Sequence, residues 1–213
     1  QSIEQIEIYR GSASLQHGTQ FGGALNFISK KAPQHKPYFY SITHDAGFYN
    51  TQSTFAEFSI RKNKWSLYQY LQYKSSLGWK PNSVYISKSA GIHAEYIPNK
   101  HNSIELSVGL LNNCIQQSGG MLDADLIKFR DTSYRARNWM IIPWHRLLAA
   151  HKYQHKKYTL STCIFSSIGN RNSIGYTASL LYPDSINPIT GHALPRQADE
   201  DSYKNIGLEH RIN

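Results

Sequence analysis

Apolar and polar residues alternate with a period of two through much of this chain. Thr54, Ala56, Phe58 and Ile60 interleave with Glu57, Ser59 and Arg61, with Phe55 breaking the pattern. Val84, Ile86, Ala90, Ile92, Ala94 and Tyr96 interleave with Ser87, Ser89, Gly91, His93 and Glu95. Ile104, Leu106, Val108 and Leu110 do so with Glu105, Ser107 and Gly109, and Ile206, Leu208 and Ile212 with Gly207, Glu209 and Arg211. Period-two patterning predicts strands with one apolar and one polar face. The polar face repeatedly carries charge: Glu57, Arg61, Glu95, Glu105, Glu209 and Arg211. Such a face meets bulk water in a soluble sandwich and a wet lumen in a large barrel, and the alternation alone leaves both open. The segment from Trp65 to Lys74 is strand-like but aromatic on both faces, so its pattern does not orient it.

The connections separate the alternatives better. Two short strands are predicted first, Ser2 to Ile8 and Ala24 to Ile28, joined through Gly11, Gly18, Gly22 and Gly23. Glycine tolerates the backbone geometries that a tight connection needs. A polar linker, Lys30 to Pro37, marks a boundary between residues 1–33 and 38–213. Beyond it about eight strands are expected, near 38–47, 52–62, 64–75, 83–97, 103–115, 146–154, 157–168 and 204–213. Asn63-Lys64 is a tight turn, followed by the longer Ser76 to Asn82. Pro98 to Asn102 is tight, followed by the long stretch Gln116 to His145. Gln154 to Lys156 is tight, followed by Gly169 to Tyr203. Short turns at one end and long loops at the other are the layout of a membrane β-barrel, and a soluble domain rarely carries two such loops. The connection at Gly47 to Gln52 is short where that scheme wants a long one.

Composition agrees with a barrel and disfavours other classes. The chain has 213 residues, 40% of them hydrophobic, and its mean hydropathy is negative. No run approaches the roughly 18 apolar residues of a spanning helix, whereas barrel strands keep a low average because they alternate. The fifteen Tyr suit the aromatic girdles of a barrel and suit any β-sheet equally well. The net charge of +9 favours an anionic partner, but the charges are scattered and form no nucleic-acid-binding arm. Cys114 and Cys163 form no framework or metal-ligand spacing. No signal segment precedes Gln1, and the chain opens inside what reads as a domain, so a preceding N-terminal portion is expected.

The opening residues Ile6-Glu7-Ile8-Tyr9-Arg10-Gly11, His17-Gly18 and Gly22-Gly23-Ala24-Leu25-Asn26 resemble the end of the plug domain of TonB-dependent outer-membrane receptors. The family pattern there is a Val/Ile-Glu-Val/Ile-x-Arg-Gly strand, a Tyr- or His-Gly turn, then Gly-Gly-x-Ile/Leu-Asn; Ser12 stands where the family usually has proline. Farther on, Ser118 to Ala124, Arg135-Ala136-Arg137-Asn138-Trp139, Pro143-Trp144, Arg171 to Tyr176, Ile186 to Gly191 and Pro195-Arg196-Gln197 are similar to the early barrel of the receptors of ferric citrate. The resemblance implies a mainly β fold: the C-terminal part of a plug in residues 1–33, and in 38–213 the N-terminal part of an antiparallel transmembrane β-barrel. The whole barrel would have about 22 strands, far more than this chain supplies. It also implies a Gram-negative outer-membrane location, a ferric chelate (ferric citrate or a related siderophore) as transported ligand, and the TonB energy-coupling complex and outer-membrane lipid as partners. No catalysis, resident cofactor or nucleic-acid partner is implied. A small self-contained β-barrel or adhesin-like outer-membrane domain is the alternative.

The residues themselves offer little for catalysis. Ser, His and Asp occur, but in no nucleophile-elbow motif. His151 and His155 stand four apart, which converges on a metal in a helix but not in a strand and turn. Gly18 to Gly23 lacks the Gly-Lys-Ser/Thr ending of a phosphate loop. The better candidates are Arg130, Arg135, Arg137, Arg171 and Arg196, with Gln117 and Gln116. Arginine offers a planar fork that matches carboxylates, as a negatively charged iron–citrate complex requires. Alternatively these arginines pair with Asp123, Asp125 and Asp131 and hold a loop shut, or face water. Trp139 and Trp144 fit an interfacial or loop anchor. Glu7 and Arg10 face opposite sides of a strand, so each would meet a different group, with plug–barrel contact the role expected of both.

Overall fold

The computed structural model describes residues 2–10, 22–176, 179, 181–193 and 195–212. The turn expected at His17-Gly18, with Gly11 and Ser12, lies outside the described residues. Two sheets form. The first is a hairpin of β1 (Ile3–Tyr9) and β2 (Ala24–Ser29). The second contains β3 (Tyr38–Gly47), β4 (Thr51–Lys62), β5 (Trp65–Ser76), β6 (Tyr85–Asn99), β7 (Asn102–Gln116), β8 (Trp139–Gln154), β9 (Thr159–Gly175) and β10 (Gln197–Ile212). Each of these eight pairs antiparallel with its neighbours in sequence, leaving β3 and β10 at the edges of an open sheet. Among the described residues there is one helix, α1 (Asp123–Lys128), in the loop between β7 and β8.

All eight expected strands are present, but the last three are longer than the pattern implies. Strand β8 begins at Trp139, β9 runs on to Gly175, and β10 begins at Gln197. Alternation fails in those extensions: Trp139 to Trp144 is apolar on both faces, and Gly169 to Ser173 is mostly polar on both. Ladder hydrogen bonds rather than one-sided burial hold them. Pro143 lacks an N–H and cannot donate to a neighbour. The pairing of β8 with β9 skips Ile142 and Pro143, then resumes at Trp144 opposite Gly169 in unchanged register. The long loops therefore shorten to 117–138 and 176–196. The connection from β3 to β4 is only Phe48 to Asn50, as its length in sequence implied, and places Tyr49 and Asn50 at positive φ.

Strand β5 is oriented by its neighbours. Ser66 and Tyr68 are buried on the polar face, where the Tyr68 hydroxyl donates to Glu57 Oε2 at 2.7 Å. Trp65, Leu67 and Leu71 therefore share the opposite face with Phe58 and Ile92. On the polar face three glycines lie beneath a cross-strand ring: Gly91 under Tyr70, Gly169 under Trp144 and Gly207 under Phe165. A Cβ at any of them would collide with that ring.

The hairpin side shows that the sheet is curved. Residues 26–31 of β2 and the linker reach Glu57 on β4, Tyr68 on β5, Glu95 on β6, Glu105 on β7, Arg146 on β8, Phe165 on β9 and Arg211 on β10, by contact or across shared cavities. Seven strands about 4.8 Å apart would span roughly 29 Å if flat, so the sheet must bend around this segment. Its apolar side is open: Tyr40, Ile42, Leu71, Ile206 and Leu208 are all exposed. Among the described residues the buried apolar ones are few (Ala32, Phe55 and Tyr68), and Ser59, Ser66, Ser76, His93 and Ser173 are buried beside them or along the same face. This polar-inside, apolar-outside order is the reverse of a water-soluble domain.

Candidate functional site

Two charged clusters organise the molecule. The first joins the linker to the polar face of the sheet. Lys30 follows β2 directly and its ammonium lies 3.1 Å from Glu57 Oε2. Lys31 lies 2.6 Å from Glu105 Oε1 and 3.8 Å from Glu95 Oε1. Consecutive lysines diverge because neighbouring side chains of an extended segment point to opposite sides. Tyr68 and Lys30 share Glu57, and Ser66 donates to Glu95 Oε2 at 3.3 Å. Arg61 completes the cluster by donating to the backbone carbonyls of Ala32 at 2.9 Å and Pro33 at 3.3 Å. Two ammonium groups thus face three carboxylates while a guanidinium holds two carbonyls, and the chain between the two sheets is held through both its side chains and its backbone.

The second cluster lies in the long loops. The Asp184 carboxylate is wholly buried and takes two arginines. Arg137 grips it with Nε at 3.2 Å and Nη2 at 2.5 Å, and Arg196 Nη2 meets its other side. Arg196 Nη1 also donates to Asn138 Oδ1 at 3.1 Å. Burial, reinforced by the charge of Arg137, lowers the Arg196 pKa from its usual value. Arg135 is buried; it donates to the carbonyls of Tyr134, Tyr182 and Ser179 and stacks over the Tyr176 ring, 4.9 Å from its centroid. Asn82, at positive φ, donates its side-chain amide to the carbonyls of Gln117, Arg135 and Asn138. Gln117 takes part through its backbone, donating to Asn138 O at 2.9 Å. Three separate loops are stitched together in this way.

The expected arginines therefore divide. Arg135, Arg137 and Arg196 come together inside the loop cluster, and the acid that holds two of them is Asp184 rather than Asp123, Asp125 or Asp131. Arg171 stands on the polar face of β9, half exposed, with Nη1 3.8 Å from Asp201 and Nε against the Met140 sulfur. Arg130 is exposed just beyond α1. Glu7 accepts from the Tyr9 hydroxyl at 2.6 Å and from its cross-strand neighbour Asn26 at 2.9 Å. The bond to Glu7 raises the Tyr9 pKa, and Asn26 of this hairpin lines one cavity with Arg211 of β10. Arg10 is exposed at the end of β1. Trp144 lies on the polar face beside Tyr203, ring centroids 5.7 Å apart, and so is not an anchor on the apolar side. His151 meets Asn102, and His155 stacks on Tyr158.

Lys30, Lys31, Asp184, Asn82 and Asn138 were not singled out from the sequence. Glu57, Glu95 and Glu105 were visible as recurrent charges on one face. That two linker lysines neutralise them depends on curvature, which period-two patterning does not encode.

No protein-family model matches the chain, and none of the curated proteins matches it in sequence. Solved structures do match in fold. The ferric citrate transporter FecA in its unliganded form superposes with a TM-score of 0.77 at 14% identity, over 97% of this chain and 30% of that one. The siderophore receptor PirA from Acinetobacter baumannii gives 0.61 at 16% identity, over 98% of this chain and 31% of that one. The chain thus spans about 30% of the length of these receptors. Its fold, mostly strand in one large open antiparallel sheet, is similar to that of a TonB-dependent receptor barrel.

Proposed function

We propose that this chain is a section of a TonB-dependent outer-membrane receptor that imports a ferric chelate, ferric citrate or a related siderophore. Residues 1–33 form the end of its plug and residues 38–213 the first eight strands of its barrel. The observation that carries this reading is the arrangement of the two faces: the polar face curves around the hairpin and binds its linker by ion pairs, while the opposite face is apolar and open. A lipid-embedded wall around a wet interior requires that polarity. The unpaired edges of β3 and β10 favour a larger barrel over the self-contained alternative, since a complete barrel has no edges.

On this reading the protein performs no covalent chemistry. The chelate, as cargo, binds at the long-loop end, and TonB-driven rearrangement of the plug opens its path. Arg130 and Arg171, the accessible arginines, are the ligand-facing candidates, while Arg135, Arg137 and Arg196 with Gln117 build the platform behind them. Glu7 and Arg10 serve plug–barrel contact. The test is uptake of radiolabelled ferric citrate by cells whose only receptor is the intact protein, with a panel of other ferric chelates alongside. Uptake that depends on TonB and falls at least tenfold in the Arg130→Ala/Arg171→Ala double variant supports the reading. Absence of binding and uptake for every chelate refutes it.

A further inference from the structure

The two ends of the eight-stranded sheet differ in charge. At the short-turn end, residues 61–65, 97–103 and 152–159 contain no Asp or Glu. They display Lys62, Lys64, Lys100, Lys156 and Lys157, all exposed, besides Lys152, which shares the polar face of the sheet with Ala150, the residue opposite Glu105. Every ion pair of lysine found among the described residues belongs instead to Lys30 or Lys31. The long-loop end mixes signs, with Asp123, Asp125, Asp131 and Asp184 among its arginines.

Aromatic rings border the same three turns, on the apolar side. Trp65 stacks on Tyr96 with centroids 4.3 Å apart, next to the β4–β5 and β6–β7 turns. Tyr153 and Tyr158 lie 6.4 Å apart across the β8–β9 turn, where His155 stacks on Tyr158 at 4.8 Å. By strand parity Trp65 shares its face with Leu67 and Leu71, and Tyr153 shares its face with Leu147 and Ala149. Each ring thus sits between an apolar band and a cationic turn. Amphipathic rings favour the headgroup level of a bilayer, and lysines just beyond it favour anionic lipid over zwitterionic lipid.

We propose that this rim is a binding surface for an anionic phospholipid leaflet. The five lysines contact phosphodiester headgroups, and the Trp65–Tyr96 and Tyr153–Tyr158 pairs lie at the level of the glycerol backbone. The proposal rests on the reading that the sheet spans a membrane, and goes beyond it by giving the short-turn end a lipid preference.

The test uses the intact protein in a nonionic detergent, titrated with phosphatidylglycerol or phosphatidylcholine and read by native mass spectrometry. Phosphatidylglycerol should be preferred, with up to about a fivefold loss for each lysine neutralised next to the surface. The quintuple Lys→Gln variant should lose at least tenfold of the preference, the quintuple Lys→Arg variant should keep it, and Lys128→Gln at the opposite end should leave it unchanged. An unaltered preference in the quintuple Gln variant overturns the proposal, as does tighter binding of heparin than of the lipid, which would mark a soluble acidic partner. A second readout separates the underlying reading. Brominated phosphatidylcholine should quench a fluorescence component that Trp65→Phe removes. Absence of that quenching defeats the membrane reading itself, whereas quenching without a lipid preference defeats only this inference.

Discussion

The loop cluster and the linker cluster use the same charges in opposite ways. In the loops, two planar guanidinium forks close on one carboxylate that has no exposed surface. At the wall, two flexible ammonium groups spread over three carboxylates, and the Lys30 and Lys31 side chains keep 35% and 41% of their exposure. A buried pair is costly to break because each partner would be left as an unpaired charge. A half-exposed lysine pair can be traded for water at little cost. The first arrangement suits a loop platform that stays assembled, the second a contact that can be released. Arginine and lysine are not interchangeable for these tasks.

The largest expected effect separates the clusters most sharply. Asp184→Ala leaves Arg137 and Arg196 facing each other without a counter-ion, and should cost about 3–5 kcal/mol. It should be seen as rapid protease nicking within 117–138 and 176–196, with the strands still protected. Next, Glu57→Gln removes the charge, and one of the two acceptor oxygens, that Lys30 and Tyr68 share in a nearly buried position, and should cost about 1.5–3 kcal/mol in urea unfolding of the intact protein. Lys31→Met, at an exposed site, should cost only about 0.2–1 kcal/mol. Finally, raising salt to 1 M shortens the screening length to about 3 Å. That should increase proteolysis at 30–37 while leaving the loop cluster unaffected. If Lys31→Met proved as damaging as Asp184→Ala, the contrast between a fixed and a releasable cluster would be lost.

Much of the fold was legible because strands β4, β6 and β7 carry regular alternation and the turns between strands carry Asn, Gly or Pro. The same pattern fails in the upper halves of β8, β9 and β10, where a strand that rises beyond its apolar band has no reason to alternate. Gly91, Gly169 and Gly207 read as neutral gaps in sequence; each turns out to make room for a ring on the next strand. The loop arginines were recognised as a group, but their partner was not. Asp184 lies some fifty residues from Arg137 in sequence, and only loop packing brings it to Arg196. The linker lysines read as solvated polar residues, since nothing local shows that the wall returns to meet them.

The central claim is that the linker after β2 lies against the charged inner face of the curved sheet. Zero-length carbodiimide coupling of the intact protein, followed by peptide mass spectrometry, tests it most directly, because amide bonds form only between ammonium and carboxylate groups already in contact. The account predicts Lys31–Glu105 and Lys30–Glu57 cross-links that disappear in Glu105→Gln and Glu57→Gln. Linker lysines that couple to no residue of β4, β6 or β7 would contradict it.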